Sequence, residues 1–325
     1  MNRRSFLKTS FSTLAAVPGL RFRTALSQEV SKMTKVAVVK APSREAGIKD
    51  AFGLLDLAPM RGKRVFLKPN FNTADPFPAG THNDTVAALV REIKSRGAAE
   101  ITLGERSGPP PTRKVMEEKG IFDLSKELGF SVLNFEDLDE AGWKHFNPPG
   151  NHWPEGFFVP KSLAEAEYIV STCCLKTHQY GGVFTMSLKL AVGTTPKKLM
   201  RALHSSPYQR LMIAEINTAF SPQLIVMDGL EVFVDGGPSS GKKASAGVIV
   251  AGTDRVAVDA VGVAVLKELG SNEAIMGRKI FEQEQISRAA ELGLGVSSAR
   301  QIDLIAADAA GRLYAEKLKT ILAEG

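Results

Sequence analysis

Cysteine is nearly absent from this chain of 325 residues, which has two cysteines, the neighbours Cys173 and Cys174. A disulfide between neighbours closes no long loop, so the fold must be stabilised by packing. An iron–sulfur cluster needs about four thiolates, and the chain therefore cannot hold one alone. Because the pair ends an apolar run, we expect both side chains to be buried. A redox-active vicinal pair is the alternative.

Long hydrophobic runs are lacking as well. The apolar stretch near the amino terminus, residues 9–20, is too short to span a bilayer as a permanent helix. No later segment is a better candidate, and neither internal repeats nor low-complexity tracts stand out. Hydrophobic residues still make up 44% of the chain, which is ample for one sizeable core or for two lobes that share a cleft.

The amino terminus has the pattern of a targeting sequence. It reads Asn2-Arg3-Arg4-Ser5-Phe6-Leu7-Lys8, and the apolar stretch that follows leads to Ala25-Leu26-Ser27. Paired arginines, a short apolar stretch and small residues resemble a twin-arginine export signal that is cut near Ser27. This resemblance predicts a signal peptide over residues 1–27 and recognition by the twin-arginine export machinery. It implies a periplasmic or other extracytoplasmic protein that is exported folded and keeps no stable membrane anchor after cleavage.

Most of the net positive charge lies in the predicted signal peptide. The formal net charge is +6, but five of the cations precede the predicted cut, where no acidic residue offsets them. The mature chain is therefore close to neutral, with a charge of about +1. A nearly neutral domain has little to attract a polyanion, so we predict no nucleic-acid partner.

Short β-branched runs alternate with helical patterns along the remaining chain. Buried strands are predicted at residues 36–39, 64–67, 101–103, 168–170, 224–227, 248–250 and 304–305. Helical faces are predicted at residues 45–55, 84–97, 208–220, 254–269 and 273–292. The alternation predicts an α/β fold with a mostly parallel sheet covered by helices on both faces. A Pro- and Gly-rich break at residues 147–154 suggests two lobes around a cleft, residues 28–150 and 151–325, with one continuous domain as the alternative.

Polar side chains follow the predicted strands, where open α/β sheets bind ligands. Lys68 and Asn70 follow the second strand and suit a phosphate or a carboxylate. Lys176 and His178 lie two apart in an extended segment, so both side chains point to the same side. Such a pair can stabilise a developing anion or transfer a proton.

Two further candidates stand at predicted helices. His82 precedes a helix and is a candidate acid–base group, unless it only bonds to the first turn. Lys189 lies in a short helical pattern between leucines, and a lysine with its amine in water is the alternative to a ligand-binding cation.

A third group of candidates follows the strand at residues 224–227. Asp228, Glu231 and Asp235 could hold a divalent metal, together with His82 or His178, or be ordinary turn residues. The segment 236–242 has the glycine and lysine spacing of a nucleotide phosphate loop, but neither the hydroxyl residue nor the helix that such a loop requires follows it. We therefore expect Gly236, Gly237 and Gly241 to bring backbone N–H groups to a ligand other than a nucleotide.

The order of these motifs resembles that of the domain of unknown function 362 family. The matching motifs are Lys68-Pro69-Asn70, Thr81-His82, Leu175-Lys176-Thr177-His178, Ser187-Leu188-Lys189, Asp228-Gly229, Glu231, Asp235-Gly236-Gly237-Pro238 with Gly241, Asp254 and Ala257-Val258-Asp259. Some relatives carry a ferredoxin-like iron–sulfur module, and with only two cysteines we expect no such module in this chain. The resemblance implies a fold unit and a set of site residues rather than a reaction.

These residues together predict an enzyme that acts on a phosphorylated or carboxylated small molecule in a cleft lined by lysine and histidine. We expect His178 to be the acid–base group, with Lys176 and Lys68 stabilising the anion, and hydrolysis or proton transfer is favoured over redox chemistry. A non-catalytic solute-binding protein and a redox accessory protein are the alternatives.

Overall fold

The computed structural model describes residues 33–325, so the predicted signal peptide, residues 1–27, lies outside the described residues. The strands are β1 (Thr34–Lys40), β2 (Arg64–Lys68), β3 (Glu100–Glu105), β4 (Ser131–Asn134), β5 (Trp143–Phe146), β6 (Phe157–Pro160), β7 (Tyr168–His178), β8 (Val183–Thr185), β9 (Leu224–Gly236), β10 (Gly241–Gly252) and β11 (Ile302–Ile305). The α-helices are α1 (Arg44–Leu54), α2 (Asn83–Ser95), α3 (Thr112–Glu118), α4 (Ile121–Leu128), α5 (Lys161–Ala164), α6 (Ser187–Leu190), α7 (Met200–Ser205), α8 (Gln209–Ile216), α9 (Arg255–Glu268), α10 (Glu273–Met276), α11 (Glu284–Glu291) and α12 (Ala309–Glu324).

One large mixed sheet organises the described chain. Its strands run in the order β11-β1-β10-β9-β7-β2-β3-β4, and β8 pairs with the end of β7. The pairs β1/β11, β2/β3, β2/β7, β3/β4 and β7/β9 are parallel, whereas β1/β10, β9/β10 and β7/β8 are antiparallel. Strands from before and after residue 150 share this sheet, because β7 lies between β2 and β9. The predicted α/β fold with a mostly parallel sheet is confirmed.

The sheet is covered by helices on both faces. Alternate residues of one strand therefore pack into two different hydrophobic clusters. In β1, Val36 and Val38 pack with residues of α9 and α12, whereas Ala37 and Val39 pack with residues of α1 and α2. Strands that are buried on both faces read as continuous apolar runs, which is why the sequence patterns predict them. None of the helices within residues 33–325 has the length and hydropathy of a membrane span.

The sequence patterns do not predict β4, β5, β6 and β8. Strands β5 and β6 form a separate two-stranded ribbon, and β4 is a short strand at the edge of the large sheet. These strands are partly exposed or too short to give a continuous apolar run. The patterns also miss the antiparallel hairpin of β9 and β10, whose polar tip carries the predicted acidic and glycine residues.

Candidate functional site

The ends of β2, β3 and β7 meet at a small cavity of about 50 Å³. Five of the predicted site residues line it, namely Lys68, Asn70, Lys176, His178 and Lys189, and Glu105, Arg106, Thr185 and Pro238 also contribute. The cavity adjoins a cleft of about 990 Å³, and His178 and Lys189 line both spaces. The structure thus brings together most of the lysine and histidine candidates.

Lys68 forms a buried ion pair at the end of β2. Its Nζ donates to Glu105 Oε1 at 2.5 Å and to the Pro69 carbonyl at 2.7 Å. Burial lowers the pKa of Lys68, and Glu105 opposes that shift. A Cβ on Gly193 would lie 2.9 Å from Glu105 Oε1 and 3.2 Å from Lys68 Nζ, so the absent side chain lets backbone pack over the pair.

Lys176 has no ion-pair partner among the described residues. The side chain is fully buried, and its Nζ donates to the carbonyls of Ala79 and Pro238, the latter at 3.0 Å. Burial lowers the pKa of Lys176. An ammonium has three N–H donors, so one of them is left for a ligand.

Lys189 is the least compensated cation of the cavity. It is 9% exposed, and within residues 33–325 its amine has neither a hydrogen-bond acceptor nor a carboxylate partner. Burial, Lys176 and Arg106 lower the pKa of Lys189 to about 7. A Cβ on Gly182 would lie 2.7 Å from Lys189 Cε, so this glycine is needed for the backbone to pass close to the lysine.

His178 is a neutral imidazole in this environment. Burial, together with Lys189 and Lys176, lowers the pKa of His178 to about 2. Its Nδ1 is buried and has no hydrogen-bond partner in the described chain. The Thr185 hydroxyl of β8, on the cavity wall, is likewise buried and unpartnered there. Both atoms thus lack a partner within the described chain, and both residues line the cavity.

Helix α6, which carries Lys189, is held in place by residues of α9. The Asp259 carboxylate accepts from the two N–H groups that open α6, at 2.7 and 2.9 Å. Asn217 Nδ2 donates to the Leu188 carbonyl at 3.0 Å, and Arg255 donates to Asn217 Oδ1 at 2.7 Å. Burial raises the pKa of Asp259 to about 7. The Asp259 motif therefore positions the lysine rather than contacting the cavity itself.

The sequence patterns select neither Glu105 nor Arg106 as a site residue. The Arg106 guanidinium donates to the carbonyls of Val192 and Thr195, the latter at 2.8 Å, and so fixes the loop that closes the cavity. Burial lowers the pKa of Arg106. Both residues stand at the carboxyl end of β3, the same kind of position that selected Lys68. Their position at the carboxyl end of a predicted strand is the signal that could have identified them as site residues.

The glycine turn between β9 and β10 forms part of the wall instead of donating to a ligand. Gly236 and Gly237 have φ angles of 78° and 74°, and their N–H groups bond within the turn, to Asp235 Oδ1 and the Ser240 carbonyl. A Cβ on Gly237 would lie 2.0 Å from the Thr177 carbonyl, and one on Gly241 would lie 2.2 Å from the Asp235 carbonyl. The turn thereby packs on β7 and presents the Pro238 carbonyl to Lys176.

His82 lies in a different cleft. It caps α2 by accepting from the Asp84 N–H at 3.1 Å, and it lines a space of about 490 Å³ with Arg44 and Glu231. Burial and then Arg44 lower the pKa of His82. The structure therefore does not bring His82 to the lysines of the cavity.

The three acidic candidates do not gather into one site. Asp228 is buried and accepts from Arg44 Nε at 2.7 Å, whereas the half-exposed Glu231 pairs with Lys243 at 3.4 Å. Asp235 is exposed near the carboxyl end of β9. Within residues 33–325 no group of three or more His, Cys, Asp or Glu side chains could hold a metal ion. The predicted metal ligands are thus engaged separately.

Both cysteines are free thiols with no exposed surface, as expected from the apolar run. Burial raises the pKa of Cys174 to about 11 and raises the pKa of Cys173 well above its ordinary value. A thiol must ionise to react in disulfide exchange, so the environment does not favour redox cycling.

Known proteins resemble this chain to different extents. The chain is 24% identical over 216 residues to the thylakoid-associated protein sll1697 of Synechocystis sp., and the match covers 63% of this chain and 64% of that protein. The solved lactate racemase apoprotein from Thermoanaerobacterium thermosaccharolyticum matches with a TM-score of 0.45 and 15% identity, over 69% of this chain and 55% of that chain. The family model described as "Domain of unknown function (DUF362)" matches residues 65–264, more than half of the chain. The chain therefore belongs to the domain of unknown function 362 family.

Proposed function

We propose that this protein is an enzyme that binds a small carboxylated or phosphorylated molecule in the cavity and transforms it by proton-transfer chemistry. The observation that carries the proposal is an imbalance of buried charge. Lys68, Lys176, Lys189 and Arg106 line the cavity, and Glu105 is the one carboxylate that faces them there among the described residues. A buried charge without a partner is costly, and a bound anion would remove that cost.

Donors for such an anion are already in place. Lys68 and Lys176 each use two of their three N–H donors on protein oxygens, which leaves one on each lysine. Asn70 and the unpartnered Thr185 hydroxyl line the same cavity. This combination suits the several oxygen atoms of a carboxylate or a phosphate.

The titration behaviour supports acid–base chemistry at Lys189 and His178. With a pKa of about 7, the Lys189 amine exchanges its proton near neutral pH. His178 is neutral in the free protein, and an anion bound beside it would raise its pKa by offsetting Lys189 and Lys176. We thus assign the main proton-transfer role to Lys189, with His178 as its partner.

A thermal-shift assay with phosphate, pyruvate and citrate at millimolar concentration tests the proposal. We expect at least one anion to raise the melting temperature, since a ligand that binds only the folded state stabilises it. Lys176→Met should abolish the rise, whereas the matched exposed variant Lys198→Met should keep it. No rise with any of these anions, or an undiminished rise in Lys176→Met, would contradict the site.

A solute-binding protein without catalysis is the second candidate, because the same cations would serve it. Turnover separates the two. An anion that binds to the wild type and is never converted, with equal affinity in His178→Ala, would favour binding alone.

Export is also part of the proposal. We infer from Arg3 and Arg4 that the twin-arginine machinery carries the folded protein to the periplasm. Fractionation of cells that express the wild type or the Arg3→Lys, Arg4→Lys variant tests this, and an unchanged periplasmic fraction in the variant would oppose it.

A further inference from the structure

We propose that Lys189 forms a covalent imine with a small 2-oxo acid whose carboxylate is held by Lys68 and Lys176, an inference that rests on the proposed anion site. The position of the amine carries the inference. Lys68 and Lys176 line the small cavity only, whereas Lys189 lines both the cavity and the cleft of about 990 Å³. A carboxylate in the cavity therefore places the adjacent carbonyl carbon at Lys189, and the remainder of the molecule extends into the cleft.

The amine is available for such a step. No carboxylate or other acceptor within residues 33–325 holds it, and the side chain is almost fully buried. Only an unprotonated amine has the lone pair that attacks a carbonyl, and burial beside other cations favours that form. In agreement, burial, Lys176 and Arg106 lower the pKa of Lys189 to about 7.

The step balances without a further reagent. The lone pair of Lys189 Nζ attacks the carbonyl carbon, and the carbonyl oxygen takes a proton that the nitrogen loses, which gives a carbinolamine. The hydroxyl group takes up a second proton and leaves as water, the carbon–oxygen bond breaks, and the nitrogen lone pair forms the carbon–nitrogen double bond of a protonated imine. Loss of the remaining N–H proton returns that second proton and gives the neutral imine. The amine and the carbonyl compound thus become an imine and one water. His178 lines both the cavity and the cleft, and we assign the relay of these protons to it.

Reductive trapping tests the inference. The full mature protein is incubated with pyruvate and sodium cyanoborohydride at pH 7, digested, and mapped by mass spectrometry. We expect the peptide that contains Lys189 to gain the mass of one pyruvic acid less one oxygen atom. Labelling of Lys189 should exceed that of the exposed Lys198 by at least about tenfold, because an unperturbed lysine is almost fully protonated at this pH.

Two variants make the outcome decisive. Lys189→Arg keeps a cation for the anion but cannot condense with a carbonyl, so it should lose the label, whereas Lys198→Met should keep it. If pyruvate raises the melting temperature of the wild type and Lys189 stays unlabelled, the imine is refuted and the anion site stands. If pyruvate neither labels Lys189 nor shifts the melting temperature, and phosphate and citrate also fail, both proposals fall.

Discussion

Lys189 is a residue whose burial opposes stability in the free protein. The residue is 9% exposed, its amine is unpaired in the described chain, and its pKa lies far below the ordinary lysine value of 10.5. The folded state therefore resists protonation that the unfolded chain accepts. At about 1.4 kcal/mol per pKa unit, the charged lysine lowers the free energy of unfolding by at most on the order of 5 kcal/mol. Retention of such a group is typical of a functional site.

Replacement of the lysine should therefore stabilise the free protein. For Lys189→Met we expect the free energy of unfolding to rise by about 1–4 kcal/mol at pH 6, since an apolar side chain of similar length replaces a buried charge. The cost of the lysine is complete below the folded pKa of about 7 and fades as the pH rises towards the unfolded value of 10.5. The gain should accordingly shrink between pH 7 and pH 10. Urea denaturation at both ends of this range provides the measurement, and a loss of stability at pH 6 would contradict the assigned environment.

At the scale of elements, the short helix α6 depends on α9 for its place. A helix of four residues has little stability of its own, and no side chain within α6 caps its start. The Asp259 carboxylate of α9 supplies that cap. Arg255, also of α9, donates to Asn217 and so supports the contact between Asn217 and α6. We infer that Asp259 is a positioning residue for Lys189.

Asp259→Asn tests this dependence. The amide offers one acceptor oxygen where the carboxylate offers two, so one N–H at the start of α6 loses its partner. We expect Lys189 to become more exposed and the midpoint of its pyruvate labelling to move from near pH 7 towards pH 10. Labelling across this pH range is the measurement. The exposed Asp56→Asn should leave the midpoint unchanged, and an unshifted midpoint in Asp259→Asn would contradict the positioning role.

At the scale of the whole molecule, the sequence is most informative where strands are buried on both faces. The runs that became β1, β2, β7 and β9 are continuous and apolar, so their pattern predicts them and the parallel sheet. The hydrophobic pattern does not predict which strands become neighbours in the sheet. The position of β7 between β2 and β9, which unites Lys68 with Lys176, is set by tertiary packing.

Tertiary packing also decides which of the predicted site residues come together. Lys68 and Lys176 lie near the carboxyl ends of β2 and β7, which are neighbours in the sheet, so the rule that ligands bind at strand ends brings them together. Asp228 follows the strand predicted at residues 224–227, but β9 continues to Gly236, and Arg44 of α1 already occupies the Asp228 carboxylate, which no local pattern reveals. The imbalance between buried cations and carboxylates is likewise a property of the assembled fold. It cannot be read from a net charge of about +1.

The most direct test of the central claim is a crystal structure of the mature protein grown with phosphate or pyruvate. We expect an anion in the cavity, with oxygen atoms within about 3 Å of Lys68 Nζ and Lys176 Nζ, a distance typical of charge-assisted hydrogen bonds. An empty cavity at saturating ligand, or an anion bound only elsewhere on the surface, would contradict the claim.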